Sequence, residues 1–330
     1  MKRLPRPHRL LRTLPVLLAL ALFGSGCAAF DDDSSAQDGS GGSGSTITVA
    51  TAFYPLQWAT QQVAGARATV VTLTQPGQEP HDLELTVKET ADITDADLVV
   101  YETDLQPGVA DSVEQNATGE TLDVGDVVTL EQESHDGHDH GDDDTSTSAE
   151  SEEEHDHGGV DPHFWQDPLL LDQVAQAIAE RLSKIDPDDA DLFEANAAKL
   201  SDELGALDAS YTSGLTGCQR DAVVVSHDAF GYLGRYGLEF YPIVGLSPEA
   251  EPTPADLGRL QDLIRTEGIT TVFGETLVSP RIAETLASDM GVEAAVLDPI
   301  EGLSDQTSDQ DYLSLMKQNL TALEEANGCP

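Results

Sequence analysis

The stretch 167–215, DPLLLDQVAQAIAERLSKIDPDDADLFEANAAKLSDELGALDASYTSGL, decides how the rest of the chain is read. Pro168 suits a first helical turn, where a missing N–H costs nothing. Leu170, Val174, Ile178 and Leu182 then recur at helical spacing. A break near Asp186 and Pro187 separates this helix from a second, longer one that runs to about Leu215. Helices of this combined length are expected to couple what lies on either side of them stiffly, not as a free hinge.

On the N-terminal side strand and helix alternate. Residues 46–52 (TITVATA) and 68–73 (ATVVTL) read as strands around a helix at 54–63. QPGQEPHDLELTVKE follows as a tight, proline- and glycine-marked connection that carries His81. A short helix is expected at 87–94, and 96–101 (ADLVVY) is a compact apolar run of the kind that forms a buried parallel strand. One more short strand is expected within 121–129. The C-terminal side repeats the logic, with strands at 221–226 (DAVVVS), 239–244, 270–273 (TTVF) and 293–297 (EAAVL). Helices are expected over DAFGYLGRYG, from Thr253 or Pro254, over 279–290 and over 312–327. This alternation makes the fold class α/β, with two open-sheeted lobes, each with its own core, and a ligand near the carboxyl ends of the strands.

The first 26 residues combine a basic start (Lys2, Arg3, Arg6, Arg9, Arg12), an apolar run from Leu14 to Phe23 and small residues before Cys27, the pattern of an export signal. The apolar run is shorter than the roughly 20 residues of an ordinary spanning helix. Gly24 to Cys27 resembles a bacterial lipobox, with glycine where an aliphatic residue is usual. Cys27 is therefore expected to carry lipid, and the following DDDSSAQDGSGGSGS to act as a soluble tether. Removing the signal takes away five of the 16 basic residues and none of the 61 acidic ones, moving the formal charge from −45 to about −50. Such a surface repels nucleic acid and anionic membrane, which leaves lipid on Cys27 as the membrane attachment. With Cys27 lipidated, Cys218 and Cys329 are the pair left for a disulfide in an oxidising compartment. Two buried thiols are the alternative.

Five of the nine histidines, His135, His138, His140, His155 and His157, lie in one acidic run. Residues 131–156 hold twelve Asp or Glu and almost no apolar side chain, so no packed core is available to them and disorder is expected without metal. Imidazoles two or three residues apart on a flexible chain can wrap a metal, and the carboxylates concentrate cations around them. A solvated acidic linker with incidental histidines is the plain alternative. The chain then divides into an export signal (1–26), a lipidated cysteine and tether (27–45), a first lobe (46–168) containing a His-rich acidic loop (131–158), linker helices (169–215) and a second lobe (216–330).

His81, His163 and His227 each stand where a strand or packed segment gives way to a turn. Three imidazoles with one carboxylate or water complete a tetrahedral zinc site. One such histidine alone would be read as a hydrogen-bonded structural residue. Asp298, ending the last strand of the second lobe before Pro299, is the expected fourth ligand, and Glu275, at another strand end, is the second choice. Glu79, Asp161 and Asp228 are near enough in sequence to orient an imidazole.

Together QPGQEPHDLE, VDPHFWQDP, VSHDAFGYLGRYGLE, SPEAEPTPADL, FGETLVSPRIAETLA and VLDPI resemble the zinc-binding solute receptors of bacterial ABC importers, part of a wider group that also serves manganese and iron. The resemblance runs from about Thr46 to the end of the chain. It implies two α/β lobes joined by a long rigid backbone helix, with the metal between them held by His81, His163, His227 and Asp298. His227 stands where manganese and iron members often carry glutamate, and nitrogen in place of a hard oxygen favours zinc. The implied protein is no enzyme. It is a monomeric, lipid-anchored extracytoplasmic receptor that delivers zinc to an ABC permease with a cytoplasmic ATPase, the His-rich loop transferring, sensing or buffering the ion. A manganese or iron receptor, a metal-dependent surface adhesin and a zinc hydrolase are the alternatives, although HExxH is absent.

Overall fold

The structure, a computed structural model, describes residues 46–132 and 159–330. The expected export signal, Cys27, the tether and the histidines at 135, 138, 140, 155 and 157 lie outside the described residues.

The first sheet is built from β1 (Ile47–Thr51), β2 (Ala68–Thr72), β3 (Leu98–Tyr101) and β4 (Glu120–Asp123), all parallel, in the order β2-β1-β3-β4. Helices α1 (Tyr54–Ala64), α2 (Val87–Asp95) and α3 (Pro107–Asn116) connect these strands. Of the three, α3 is absent from the expectations above. Its sequence, PGVADSVEQN, buries only Val109 and Val113, too thin a stripe to stand out as a helical pattern. A two-stranded antiparallel ribbon of β5 (Glu131–Gln132) and β6 (Val160–Asp161) was likewise not foreseen.

After α4 (Pro168–Ile185), a 3₁₀ turn at Pro187–Asp189 and α5 (Ala190–Gly214), the second sheet follows. It comprises β7 (Ala222–Val225), β8 (Glu239–Pro242), β9 (Thr271–Gly274) and β10 (Glu293–Val296), ordered β10-β9-β7-β8 and again parallel. Helices α6 (Pro254–Glu267), α7 (Arg281–Met290) and α8 (Tyr312–Asn327) complete it, while DAFGYLGRYG forms a 3₁₀ helix at Gly231–Tyr236. Read in chain order, both sheets place their second strand at one edge, then their first, third and fourth. The most continuous apolar runs, LVVY, AVVV and TVFG, take central positions as β3, β7 and β9, where both faces are covered.

The long helix spans the two halves. Near its start, Asn196 donates to the carbonyl of Val63 at the end of α1 (2.9 Å); near its end, Tyr211 donates to the carbonyl of Met316 in α8 (2.7 Å). Fifteen residues of helix separate these anchors by about 22 Å. The expectation of one core per lobe is replaced by a continuous apolar cluster that runs from Val49 and Leu56 through Trp165, Leu171 and Leu204 to Val225, Phe273 and Tyr312. Among the described residues, a separate cluster forms on the second sheet around Val224, Ile264, Val272 and Leu286. The shared core follows from α4 and α5 packing on each other and on α1, with Trp165 and Tyr312 filling the space between sheets. Cys218 and Cys329 are joined as a disulfide, tying the segment after α5 to the C-terminus.

Candidate metal centre

His227 lies two residues beyond β7, at the carboxyl end of a central strand. Its side chain is fully buried, with Nδ1 at 3.0 Å from Glu275 Oε1, one residue beyond the neighbouring strand β9. Glu275 therefore accepts from Nδ1–H and turns Nε2 into the cleft, where its lone pair is available once the ring is neutral. His163 is held the same way. Asp161 Oδ1 accepts both from the backbone N–H of His163 (2.9 Å) and from its Nδ1 (2.7 Å), again freeing Nε2. His81 sits in the connection after β2. The two oxygens of Glu79 accept from the N–H groups of His81 (3.1 Å) and Asp82 (3.3 Å), and Gln106 donates to the carbonyl of Pro80 (2.9 Å). Its imidazole is 11% exposed, against 0% for the other two.

The carboxylate that meets these three imidazoles is Glu301. Its Oε1 lies 3.1 Å from His227 Nε2, 3.3 Å from His163 Nε2 and 3.4 Å from His81 Nε2, and the Nε2 atoms of His81 and His163 are 3.3 Å apart. All four donor atoms fall within 4.8 Å of one another. A tetrahedral zinc ion with ligand bonds of about 2.0–2.1 Å requires donor separations of about 3.4 Å. The donor set fits such an ion in number, and four of its separations, 3.1–3.4 Å, match that spacing. The second oxygen of Glu301 is buried with no hydrogen-bond partner, as expected of a group whose partner is an ion.

Asp298, expected above as the fourth ligand, is not among the converging donors. Its Oδ1 accepts from the N–H of Ile300 (2.8 Å) and its Oδ2 from the hydroxyl of Thr276 (2.9 Å), so the side chain is turned back onto its own loop. Glu275, the second choice, orients His227 instead. Sequence reading missed Glu301 because it stopped at the strand end, whereas the chain reverses once more before presenting this carboxylate to the three imidazoles. Ile300 lies at φ 61°, the left-handed region that a β-branched residue avoids, at a cost of about 1–3 kcal/mol. Neighbouring groups hold it there. Trp165 Nε1 (2.7 Å) and Gln166 Nε2 (2.6 Å) both donate to the carbonyl of Pro299, and Asn319 bonds the backbone N–H and carbonyl of Asp298. The segment that carries His163 thus fixes the turn that carries Glu301. The only signal in the sequence was an acidic residue between Ile300 and Gly302 in an otherwise apolar context.

Charge inside the site is sharply divided. Burial alone would lower the pKa of His163, but Asp161 and Glu301 outweigh it and raise the value to about 9. Burial opposes the charge on His227 too, yet Glu301 and Glu275 raise it to about 10. His81 is lowered, because burial there exceeds the pull of Glu301. Burial would raise Glu301, but the histidines hold it well below the usual carboxylate range. Without metal, protons on His163 and His227 balance a buried carboxylate.

Residues 49–326 match the family described as zinc-uptake complex component A, periplasmic. The chain belongs to the ZnuA family. A ZnuA-family relative, the zinc-binding lipoprotein AdcA of Streptococcus pneumoniae, is 35% identical over 289 residues, covering 84% of this chain. The chain spans about half the length of the AdcA relatives it matches, 55% of this one. The high-affinity zinc uptake system protein ZnuA of Bacillus subtilis is 34% identical over 297 residues, covering 89% of this chain and 92% of its own length. Among solved structures, the Zn(II)-bound ZnuA-like domain of Streptococcus pneumoniae AdcA superposes with a TM-score of 0.69 at 31% identity, covering 86% of this chain and 99% of that domain. The family is that of an uptake component, not of an enzyme.

Proposed function

We propose that this chain is the extracytoplasmic receptor of a zinc importer, capturing one ion between its lobes and delivering it to an ABC permease driven by a cytoplasmic ATPase. The observation that carries the reading is the convergence of three imidazole nitrogens and Glu301 Oε1 within 4.8 Å of one another, the carboxylate oxygen lying 3.1–3.4 Å from each nitrogen. Three nitrogens favour zinc over the harder manganese and iron(II) ions. The names of the relatives above, each a zinc-binding or zinc-uptake protein, support the same cargo. Glu301 is the fourth ligand in this reading and Asp298 a support for the turn that presents it.

Lipid on Cys27 anchors the receptor; no helix among the described residues is long and apolar enough to cross a membrane. The His-rich acidic segment within 131–158 acts as an auxiliary collector of the same ion, its carboxylates concentrating cations around the imidazoles. Competition titration of zinc, manganese and iron(II), on the intact chain and on one lacking residues 132–157, tests the whole reading. One high-affinity zinc should survive the deletion. A preference for manganese would overturn the choice of cargo, and loss of all tight zinc binding with the deleted segment would overturn the cleft as the primary site.

A further inference from the structure

The carboxylates behind His163 and His227 are steadied differently. Glu275 and His227 come from adjacent strands of one sheet, so their pairing belongs to the second lobe alone. Asp161 comes from the β5–β6 ribbon, and the second lobe reaches across to it from the 3₁₀ helix Gly231–Tyr236, four residues beyond His227. There the hydroxyl of Tyr232, on a side chain 2% exposed, donates to the carbonyl of Asp161 (2.7 Å) and accepts from the N–H of Glu131 on the facing strand (3.0 Å). Next to it, a β-carbon on Gly231 would stand 2.8 Å from Asp161 Oδ2, so only glycine leaves room for this carboxylate where it now lies.

We propose that Tyr232 and Gly231 are positioning residues for His163: from the opposite lobe Tyr232 holds the backbone of Asp161 and Gly231 leaves room for its carboxylate, so that His163 is held most firmly in its coordinating orientation while the lobes are together. The inference rests on reading the His81, His163, His227 and Glu301 cluster as the metal site. Its functional consequence is an order of release. Separating the lobes removes the Tyr232 hydroxyl from Asp161 and leaves its carboxylate steadied, among the described residues, only by the N–H of His163 itself, so the His163 ring is held less firmly, while His227 keeps the whole of its support within its own lobe. The ion would then lose its first nitrogen ligand on the first-lobe side.

The test uses the full chain, zinc and cobalt(II), with affinity and dissociation rate read by competition against a chelator and cobalt geometry read from the visible absorption bands. Asp161→Ala should weaken zinc by about 10–100-fold, the usual effect of removing a carboxylate behind a metal-binding histidine. Tyr232→Phe and Gly231→Ala should each speed zinc dissociation by about tenfold and shift the cobalt bands, one ion still being bound in the cleft. In the Asp161→Ala background neither should add more than about a factor of two, because both act through the group already removed. A Tyr232→Phe protein with a lower Tm but unchanged zinc kinetics and cobalt bands would overturn the proposal, as would effects that multiply with Asp161→Ala. His227→Ala is the control for the underlying reading; if it left the tight site intact, the metal-site assignment itself would fail, whatever Tyr232 does.

Discussion

The two sheets have the same strand order, yet they use their equivalent positions for different ends. Two residues beyond the first strand of each sheet stand Phe53 and His227; one residue beyond the third stand Glu102 and Glu275. In the second lobe this pair is a working unit, a buried imidazole oriented by a buried carboxylate. In the first lobe Phe53 packs against Trp165, with ring centroids 5.0 Å apart, and Glu102 accepts from the N–H groups of Asp104 and Leu105. The carboxyl end of a central strand is a place where a ligand can be put. Whether it becomes one depends on a second group that fixes the proton and leaves a lone pair free. The first lobe brings its imidazoles to the cluster instead from a connection, His81, and from the segment entering α4, His163.

Breaking the second lobe's unit should give the largest effect. His227→Ala removes a fully buried imidazole of the proposed site and should weaken cleft zinc by about 10²–10³-fold, since roughly 10–16 kcal/mol of zinc binding shared among four ligands leaves about 2.5–4 kcal/mol for each. Phe53→Ala, at the equivalent position, should lower stability by about 3–5 kcal/mol through a cavity, while the surviving folded protein keeps its zinc stoichiometry. Equal losses of zinc affinity in the two variants, measured by calorimetry on folded material, would contradict the division of labour.

Acid should act on the same unit. His163 and His227, raised to about 9 and 10, carry protons at neutral pH in the metal-free protein and must lose them to coordinate. Zinc affinity should therefore climb between pH 7 and 9, by up to about 100-fold per unit where two protons leave. Metal-free stability should run the other way. The contribution of a histidine with a raised pKa is complete below its unfolded value near 6.5 and is lost as pH rises through about 9–10. Calorimetry in buffers of different ionisation heat counts the protons; release of fewer than one per zinc at pH 7 would contradict the charge assignment.

The lobes were legible in the sequence because their central strands are near-continuous apolar runs, and the three converging imidazoles because histidine is scarce outside the acidic segment. Helix α3 escaped because it buries two valines, and the shared core because helical periodicity says which face is apolar but not which lobe it will meet. The carboxylate that meets the three imidazoles was a different kind of failure. Strand-end logic leads to Asp298, and only the turn through Ile300, held by donors from Trp165 and Gln166 more than 130 residues away, carries the chain on to Glu301.

That distinction gives the next effect in size. Glu301→Gln replaces a charged donor by a neutral one and should weaken zinc by about 10–100-fold, whereas Asp298→Asn, which can still accept from Ile300, should change it by less than about threefold. If Asp298→Asn proved the more damaging of the two in zinc titrations, Asp298 would return as the ligand and Glu301 would become its support.

The smallest effect separates Glu275 from its counterpart Glu102. Glu275→Gln should cost about tenfold in zinc affinity by loosening His227; Glu102→Gln should leave zinc binding unchanged and appear only in stability against pH. Burial raises Glu102 to about 8, more than its two backbone donors can lower it. A carboxyl whose folded pKa lies above its unfolded value near 4.5 stabilises most when protonated, and that contribution fades as pH rises from about 4.5 through 8. Glutamine cannot ionise, so the variant should show a flatter dependence of Tm on pH across this window in the metal-free protein. An unchanged slope would mean that Glu102 stays ionised on its two backbone donors throughout. The two lobes would then share a buried carboxylate at this position and differ only in what it holds, a histidine or a turn.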